Sequence, residues 1–134
     1  LTEFPRSPFR DAAGQLSVAA QAGQVLFESA QTGCTDCHAG PRLTDSAFVS
    51  PGVPLLHDVG TLSAGSGQRL GGPLTGIDTP TLHGSWNSPP YLHDGSAASL
   101  IDVLEGNDGS HGSTALLSDA ERAQLVEYLL SLEG

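Results

Sequence analysis

Residues 34–38 read Cys-Thr-Asp-Cys-His, the C-x-x-C-H spacing that is typical of haem c attachment. Two thiols at this spacing, at the end of a helix, can add to the two vinyl groups of one haem, and the next imidazole can then bind the iron as proximal ligand. The chain has 2 cysteines, Cys34 and Cys37. The sequence therefore predicts one covalent haem c, attached through both cysteines, with His38 on the iron.

Other uses of a cysteine pair are a disulfide, a redox dithiol or half of a zinc site. A zinc site needs four ligands, so it would have to recruit distant histidines. A redox dithiol normally follows a strand in an alternating strand–helix pattern, and no such pattern is visible in this sequence. Haem c is therefore the favoured interpretation of the motif.

The charge balance excludes whole classes of partner. The 134 residues, a length typical of one domain, carry 15 acidic side chains against 5 arginines and no lysine, a formal net charge of −10. Nucleic acid and anionic membrane surfaces require a basic face, so neither is expected as a partner. A negative surface instead favours a redox protein with a positively charged docking face.

The sequence pattern predicts neither a transmembrane segment nor a signal peptide. No run of 18 apolar residues is present, so no transmembrane segment is expected. The first ten residues lack the basic and then apolar pattern of a signal peptide. We interpret this start as the result of a removed leader or as a piece cut from a longer protein.

Glycine and proline are abundant, at 17 and 9 residues, and they concentrate between residues 40 and 90. This stretch is expected to form a long irregular loop with short helical turns. So long a loop is improbable in a compact domain unless it packs around a large ligand. The predicted organisation is an N-terminal arm over residues 1–15 and one cytochrome c domain over residues 16–134.

Helices are predicted on both sides of this loop. The first begins after Ser17, its expected N-cap, and stops at Gly33, directly before the cysteine motif. A short helix capped by Ser96 or Ser99 is expected to end near Leu104. The apolar stripe of the first helix is predicted to contain Val18, Ala22, Val25 and Leu26.

The last helix has the clearest signature. Ser118 as N-cap and Glu121 three positions later form a capping box, and Gly134 is the expected end. No strand pattern persists for more than a few residues, so the predicted fold class is all-α. The buried stripe of the last helix is predicted to contain Ala120, Ala123, Leu125, Tyr128, Leu129 and Leu132.

Several separate segments, spanning about residues 16–133, resemble the cytochrome c peroxidase-like family. They are G-C-T-D-C-H-A-G-P-R-L-T-D at 33–45, L-H-D-V-G at 56–60, D-T-P-T-L at 78–82 and P-Y-L-H-D-G-S at 90–96, followed by Leu100 and the leucine-rich last helix. The chain resembles one domain of the bacterial dihaem cytochrome c peroxidase and MauG-like group. It is closer still to single-haem modules of larger exported or surface proteins.

This resemblance implies helices arranged as in class I cytochromes c, wrapped around one covalently bound haem. Gly23 and Phe27 of the first helix are expected to meet Tyr128 or Leu125 of the last, because a glycine lets two helices cross closely.

Two departures from the family pattern matter. Dihaem peroxidases need two C-x-x-C-H motifs, one haem for electron entry and one for peroxide, whereas this chain has one. The electron-transfer domain of those enzymes uses a methionine as distal ligand, and this chain contains no methionine. A His/Met haem is therefore excluded.

The remaining histidines are the candidates for the distal ligand. His111 is favoured, because by resemblance the missing methionine would fall about one helical turn before it. His93, in the family's Tyr-x-His-x-Gly turn, and His57 are alternatives, and an open or water-bound iron is another. His83 stands where the family commonly has arginine, so a hydrogen bond to a haem propionate is favoured over ligation.

Further haem contacts are predicted from residue type, with ordinary surface or core roles as the alternative for each. Buried propionates need donors, and the resemblance also places His93 on the propionate side or in a structural role. A calcium site among Asp58, Asp78 or Asp94 is a weaker hypothesis. The expected donors are Arg42, Arg69, His83 and Trp86. The expected apolar cover of the porphyrin is Leu43, Pro80, Leu82, Tyr91, Leu92, Leu100 and Leu104.

Three functions follow from these features. The favoured one is electron transfer through a six-coordinate, bis-histidine haem. The alternatives are a peroxidase-type haem enzyme acting on hydrogen peroxide and a ligand-sensing haem module of a larger protein. Covalent haem attachment in bacteria takes place outside the cytoplasm, so a periplasmic or cell-surface location is expected, which the lack of spare cysteines also fits.

Overall fold

The computed structural model describes residues 5–133. Within them, α1 (Val18–Phe27), α2 (Leu100–Glu105) and α3 (Asp119–Leu130) are accompanied by two antiparallel hairpins and three short 3₁₀ turns. The hairpins are formed by β1 (Phe48–Ser50) with β2 (Val53–Pro54), and by β3 (Gln68–Arg69) with β4 (Gly72–Pro73). The prediction of an all-α fold is therefore wrong, because the chain is a small mixed fold.

The hairpins lie in the stretch that the sequence predicts to be an irregular loop. Their strands are two or three residues long, too short for the alternation of apolar and polar residues to be visible. Leu70 and Gly71, at φ 50° and 80°, form the two-residue turn between β3 and β4, and two positive φ values are what the twist of a tight hairpin requires. An isolated bridge between His57 and Ile77 joins the segments that flank the second hairpin.

The start of α1 is confirmed, but its predicted end is wrong. Ser17 Oγ accepts a hydrogen bond from the Ala20 N–H at 3.0 Å. The helix ends at Phe27, well before Gly33, and the Thr32 hydroxyl then donates to the Leu26 carbonyl at 2.6 Å, which folds the chain back toward the cysteine motif. Two residues of the predicted apolar stripe, Val18 and Val25, are exposed.

The capping box of α3 is confirmed. Ser118 Oγ accepts from the Glu121 N–H, while Glu121 Oε2 accepts from the Ser118 N–H at 2.8 Å. The helix ends at Leu130, and the predicted end at Gly134 lies outside the described residues. Leu125, Tyr128, Leu129 and Leu132 are buried as predicted, whereas Ala120 and Ala123 are exposed. Of the two candidate caps for α2, Ser99 is the one used.

The first and last helices cross closely, as predicted. A Cβ on Gly23 would lie 1.9 Å from the Gln124 carbonyl oxygen, so only glycine permits this approach. The Phe27 and Tyr128 rings pack with centroids 5.3 Å apart. The buried core gathers around this crossing and consists of Phe27, Leu100, Leu104, Leu117, Leu125, Tyr128, Leu129 and Leu132.

The N-terminal segment docks on the end of α3. Ser7 Oγ donates to the Leu130 carbonyl at 2.6 Å, and Arg10 Nε donates to the Ser131 carbonyl at 2.7 Å. Residues 1–4 of the predicted arm lie outside the described residues, and the boundary between residues 15 and 16 stays a prediction.

Candidate haem site

The cysteine motif lies on a 3₁₀ turn, Cys34–Asp36, that directly follows Gly33. Gly33 has φ 67°, a left-handed conformation that glycine adopts readily, and it turns the chain into the motif. Cys34 packs against the buried core, and the His38 N–H donates to the Cys34 carbonyl at 2.9 Å. Burial raises the pKa of both thiols, with the nearby Asp45 charge adding to the effect at Cys37.

His38 is buried and held in a fixed orientation. Its Nδ1 lies 3.1 Å from the carbonyl oxygen of Leu43, so that Nδ1 carries the proton and donates it. Burial lowers the pKa of His38, which favours the neutral ring. A neutral imidazole whose Nδ1–H donates to a carbonyl can bind a metal through Nε2. The Pro80 backbone also neighbours this ring and partly offsets the lowering of its pKa.

His111 faces His38 across a short gap. The two ring centroids are 6.2 Å apart, with the ring planes at 50°. Bonds of about 2.0–2.1 Å from a metal to each imidazole nitrogen would separate two ring centres by roughly 6 Å. Burial, and then the charge of His38, lowers the pKa of His111, so this ring also favours its neutral form. The pair therefore fits an iron ion between two imidazoles.

The other three histidines are engaged by different groups. His57 Nε2 lies 2.7 Å from Asp45 Oδ2, and His93 Nδ1 lies 2.9 Å from the Thr61 hydroxyl. Both ring nitrogens of His83 contact backbone carbonyls, those of residues 41 and 133. In the described part of the chain, the His111 ring makes no such hydrogen bond. Of the four candidates for the distal position, His111 is the one that faces His38.

Four of the predicted haem contacts line one open cavity of about 770 Å³: Arg42, Pro80, His83 and Trp86. Trp86 Nε1 is buried and has no hydrogen-bond partner among residues 5–133. An unsatisfied buried donor is costly, and an acceptor oxygen, such as that of a haem propionate, would offset this cost. Arg69, by contrast, lines a second cavity of about 530 Å³ between the hairpins.

Several known proteins are similar to this chain over most of its length. The chain is 36% identical to the gamma subunit of hydrazine synthase from Kuenenia stuttgartiensis, over 97% of the chain and 45% of that protein. It is 30% identical to a cytochrome-c peroxidase of Pseudomonas sp. (strain SCT), over 98% of the chain and 45% of the relative. It is 27% identical to the methylamine utilization protein MauG of Methylophilus methylotrophus, over 89% of the chain and 38% of the relative.

The chain is a homologue of the cytochrome c peroxidase and MauG-like haem proteins. A structure of Kuenenia stuttgartiensis hydrazine synthase superposes with a TM-score of 0.69 at 31% identity, over 96% of this chain and 51% of that one. A MauG-like protein associated with microbial copper homeostasis shares the fold at 23% identity, with a TM-score of 0.65, over 89% of this chain and 45% of that one. No protein-family model matches the chain.

The chain spans a little under half the length of these two curated relatives. Those relatives are larger proteins, so the domain corresponds to one part of each. No helix formed by residues 5–133 has the length and apolar character needed to cross a bilayer.

The apolar residues predicted to cover the porphyrin fall into three groups. Leu100 and Leu104 are part of the buried core, and Leu43, Leu82 and Tyr91 pack against it. Leu92 is half-buried at φ 66°, and Pro80 is exposed at the rim of the first cavity. Their contact with a haem stays a prediction.

The sequence did not predict one cluster of side chains that could hold a metal ion. Cys37 Sγ, an Asp45 oxygen and a His57 nitrogen all lie within 4.8 Å of one another. Asp45 and His57 lie beside Cys37, and His57 also forms the bridge to Ile77. That bridge is a long-range contact, which no local sequence pattern reveals. The three aspartates considered for calcium form no such group in the described residues.

Proposed function

We propose that the chain is a monohaem c-type cytochrome domain that transfers electrons through a six-coordinate iron. The haem is attached through Cys34 and Cys37, and His38 and His111 are its axial ligands. The observation that carries this proposal is the 6.2 Å separation of the His38 and His111 rings, which matches the span of a metal ion with one imidazole on each side. Two protein ligands fill both axial positions, and this favours electron transfer over ligand activation.

The other residues of the site would bind and shield the haem. The haem supplies the reversible one-electron change of its iron. Trp86 offers an unused N–H donor, and Arg42, which lines the same cavity, offers a positive charge. In this proposal Arg42 and Trp86 are the propionate donors, because Arg69 lines the other cavity and both ring nitrogens of His83 contact backbone carbonyls. The apolar cover is formed by Leu43, Pro80, Leu82, Tyr91, Leu92, Leu100 and Leu104.

Location and partners follow from the same proposal. Covalent haem attachment would place the protein in the periplasm or on the cell surface. The net charge of −10 favours a redox partner with a positive docking face, with faster association at low salt. Because the matched relatives are about twice as long, a further domain of the same parent protein is a second kind of partner.

A peroxidase-type function is the second candidate, because relatives at about 30% identity are named as cytochrome c peroxidases. That chemistry needs an open coordination position on the iron and an electron source. Peroxidase activity would therefore require His111 to leave the iron, and electrons would have to come from a second haem outside this chain.

The absorption spectrum of the purified haem protein distinguishes the electron-transfer function from the peroxidase-type function. We expect low-spin spectra in the oxidised and reduced states, both unchanged by carbon monoxide, and haem that stays with the polypeptide during denaturing mass spectrometry. A high-spin ferric spectrum with carbon monoxide binding on reduction would contradict the bis-histidine proposal and favour the peroxidase. Haem that is lost on denaturation would contradict attachment through Cys34 and Cys37.

A further inference from the structure

The loop that follows α2 carries His111 and is built around the side chain of Asn107. The Asn107 amide nitrogen donates to the carbonyl of His111 at 2.6 Å and to the carbonyl of Gly112 at 2.9 Å. The Asn107 amide oxygen accepts from the N–H of His111 at 3.0 Å and from the N–H of Gly109 at 2.9 Å. The side chain therefore binds both backbone polar groups of His111.

The orientation of this amide follows from its partners. Two carbonyl oxygens can only be met by the NH₂ group, and two backbone N–H groups can only be met by the oxygen. An aspartate of the same shape could accept both N–H groups, but it would place a carboxylate oxygen against two carbonyl oxygens. Asparagine is thus the residue whose donors and acceptors both match this loop.

The same loop is tied to the segment that leads into the cysteine motif. The Ser113 N–H donates to the carbonyl of the fully buried Thr32 at 2.8 Å. The Thr114 hydroxyl donates to the Leu104 carbonyl, at the end of α2, at 2.8 Å. These bonds fix the two ends of the loop, and Asn107 fixes the position of His111 between them.

We propose that Asn107 is a positioning residue that holds His111 opposite His38. The inference rests on the proposed function, in which His111 is the distal ligand. Asn107 acts only through the backbone of His111 and makes no contact with the iron. The Asn107 bonds hold the backbone of His111 where its ring lies at the distance from His38 that a shared metal requires. Without Asn107, the His111 ring is free to leave the iron.

The test compares N107D with wild type in the haem-loaded protein. N107D keeps the shape of the side chain but loses both donors, so the loss of two neutral hydrogen bonds should raise the ratio of open to ligated iron roughly thirty-fold. We expect a high-spin ferric component, carbon monoxide binding after reduction, and recovery of the low-spin spectrum on addition of imidazole. N107A is the second variant, and it should show the same signature if N107D fails to take up haem.

Asp108 provides the matched control, because its carboxylate accepts from the Ser110 N–H in the same loop without contacting His111. D108A should leave the spectrum unchanged. If N107D and N107A both stay low-spin and inert to carbon monoxide, with only a lower Tm, Asn107 is merely structural and the inference is wrong. H111A separates the two proposals: if it opens the iron while the Asn107 variants do not, only the positioning role fails, and if H111A itself stays closed, the distal assignment fails.

Discussion

The rings of His38 and His111 face each other with centroids 6.2 Å apart, although the residues come from opposite sides of a long stretch of hairpins and turns. His38 is oriented by the Leu43 carbonyl, and His111 by the loop around Asn107. Burial lowers the pKa of both rings, so both favour the neutral form that binds a metal.

The distal assignment is tested by H111A. Removing this imidazole should convert a low-spin haem to a high-spin one that binds carbon monoxide when reduced. H93A is the comparison variant, since His93 is the alternative distal candidate but is exposed, with its ring bonded to Thr61. Absorption spectra of both variants decide the matter. If only H93A bound carbon monoxide, His93 rather than His111 would be the distal ligand.

The helix crossing should tolerate no side chain at residue 23. Alanine normally stabilises a helix over glycine by about 1 kcal/mol. At Gly23, however, the new Cβ would lie 1.9 Å from the Gln124 carbonyl oxygen, so the helices would have to separate. We expect G23A to lower the free energy of unfolding by about 3 kcal/mol.

Chemical denaturation of wild type and of the G23A and G65A variants measures the change in the free energy of unfolding. A Cβ on Gly65 would lie 3.6 Å from Ser63 Oγ, an ordinary contact, so G65A should change stability by less than about 0.5 kcal/mol. Equal effects of the two substitutions would show that the helices do not cross at Gly23.

The capping box of α3 should make stability depend on pH. The Ser118 N–H and then its hydroxyl donate to Glu121, and they lower the pKa of the Glu121 carboxyl below its ordinary value. A lowered pKa means that this stabilisation is complete above the unfolded value, about 4.3, and is lost as the pH falls through the folded value. Wild type should therefore exceed E121Q in Tm at pH 7 and lose that advantage as the pH falls below the unfolded value and through the lowered folded pKa.

The S118A background provides the control for this titration. S118A should itself cost about 1 kcal/mol through loss of the N-cap. S118A removes the hydroxyl donor but keeps the backbone N–H of residue 118, so E121Q should have a smaller effect in S118A than in wild type at pH 7. A full effect of E121Q in that background would assign the pH dependence to another group.

Docking of the N-terminal segment is tested by S7A. The buried Ser7 hydroxyl donates to the Leu130 carbonyl, and its loss should cost about 1 kcal/mol. S88A removes a comparable bond, to the Gly84 carbonyl, at an exposed position, and it should cost less. Thermal melts of the two variants compare them. If S7A melts like wild type, the segment over residues 5–15 contributes little to the fold.

The sequence alone determined the features that depend on neighbouring residues. The cysteine motif, the N-caps Ser17 and Ser118 and the capping box with Glu121 are local patterns, because the groups that bond to each other lie within one turn of the chain. The crossing of α1 and α3 at Gly23 was also predictable, through the family resemblance. The prediction of the family was confirmed for the same reason, since the motifs that carry the resemblance are short and contiguous.

Only the tertiary structure decided what depends on distant contacts. It ended α1 at Phe27, formed two hairpins whose strands are too short to leave a pattern, and placed His57 beside Asp45. It also brought His111, of four candidate histidines, opposite His38. A histidine's spacing in the sequence says nothing of where its loop closes, because that depends on hydrogen bonds and packing between segments that only the folded chain brings together.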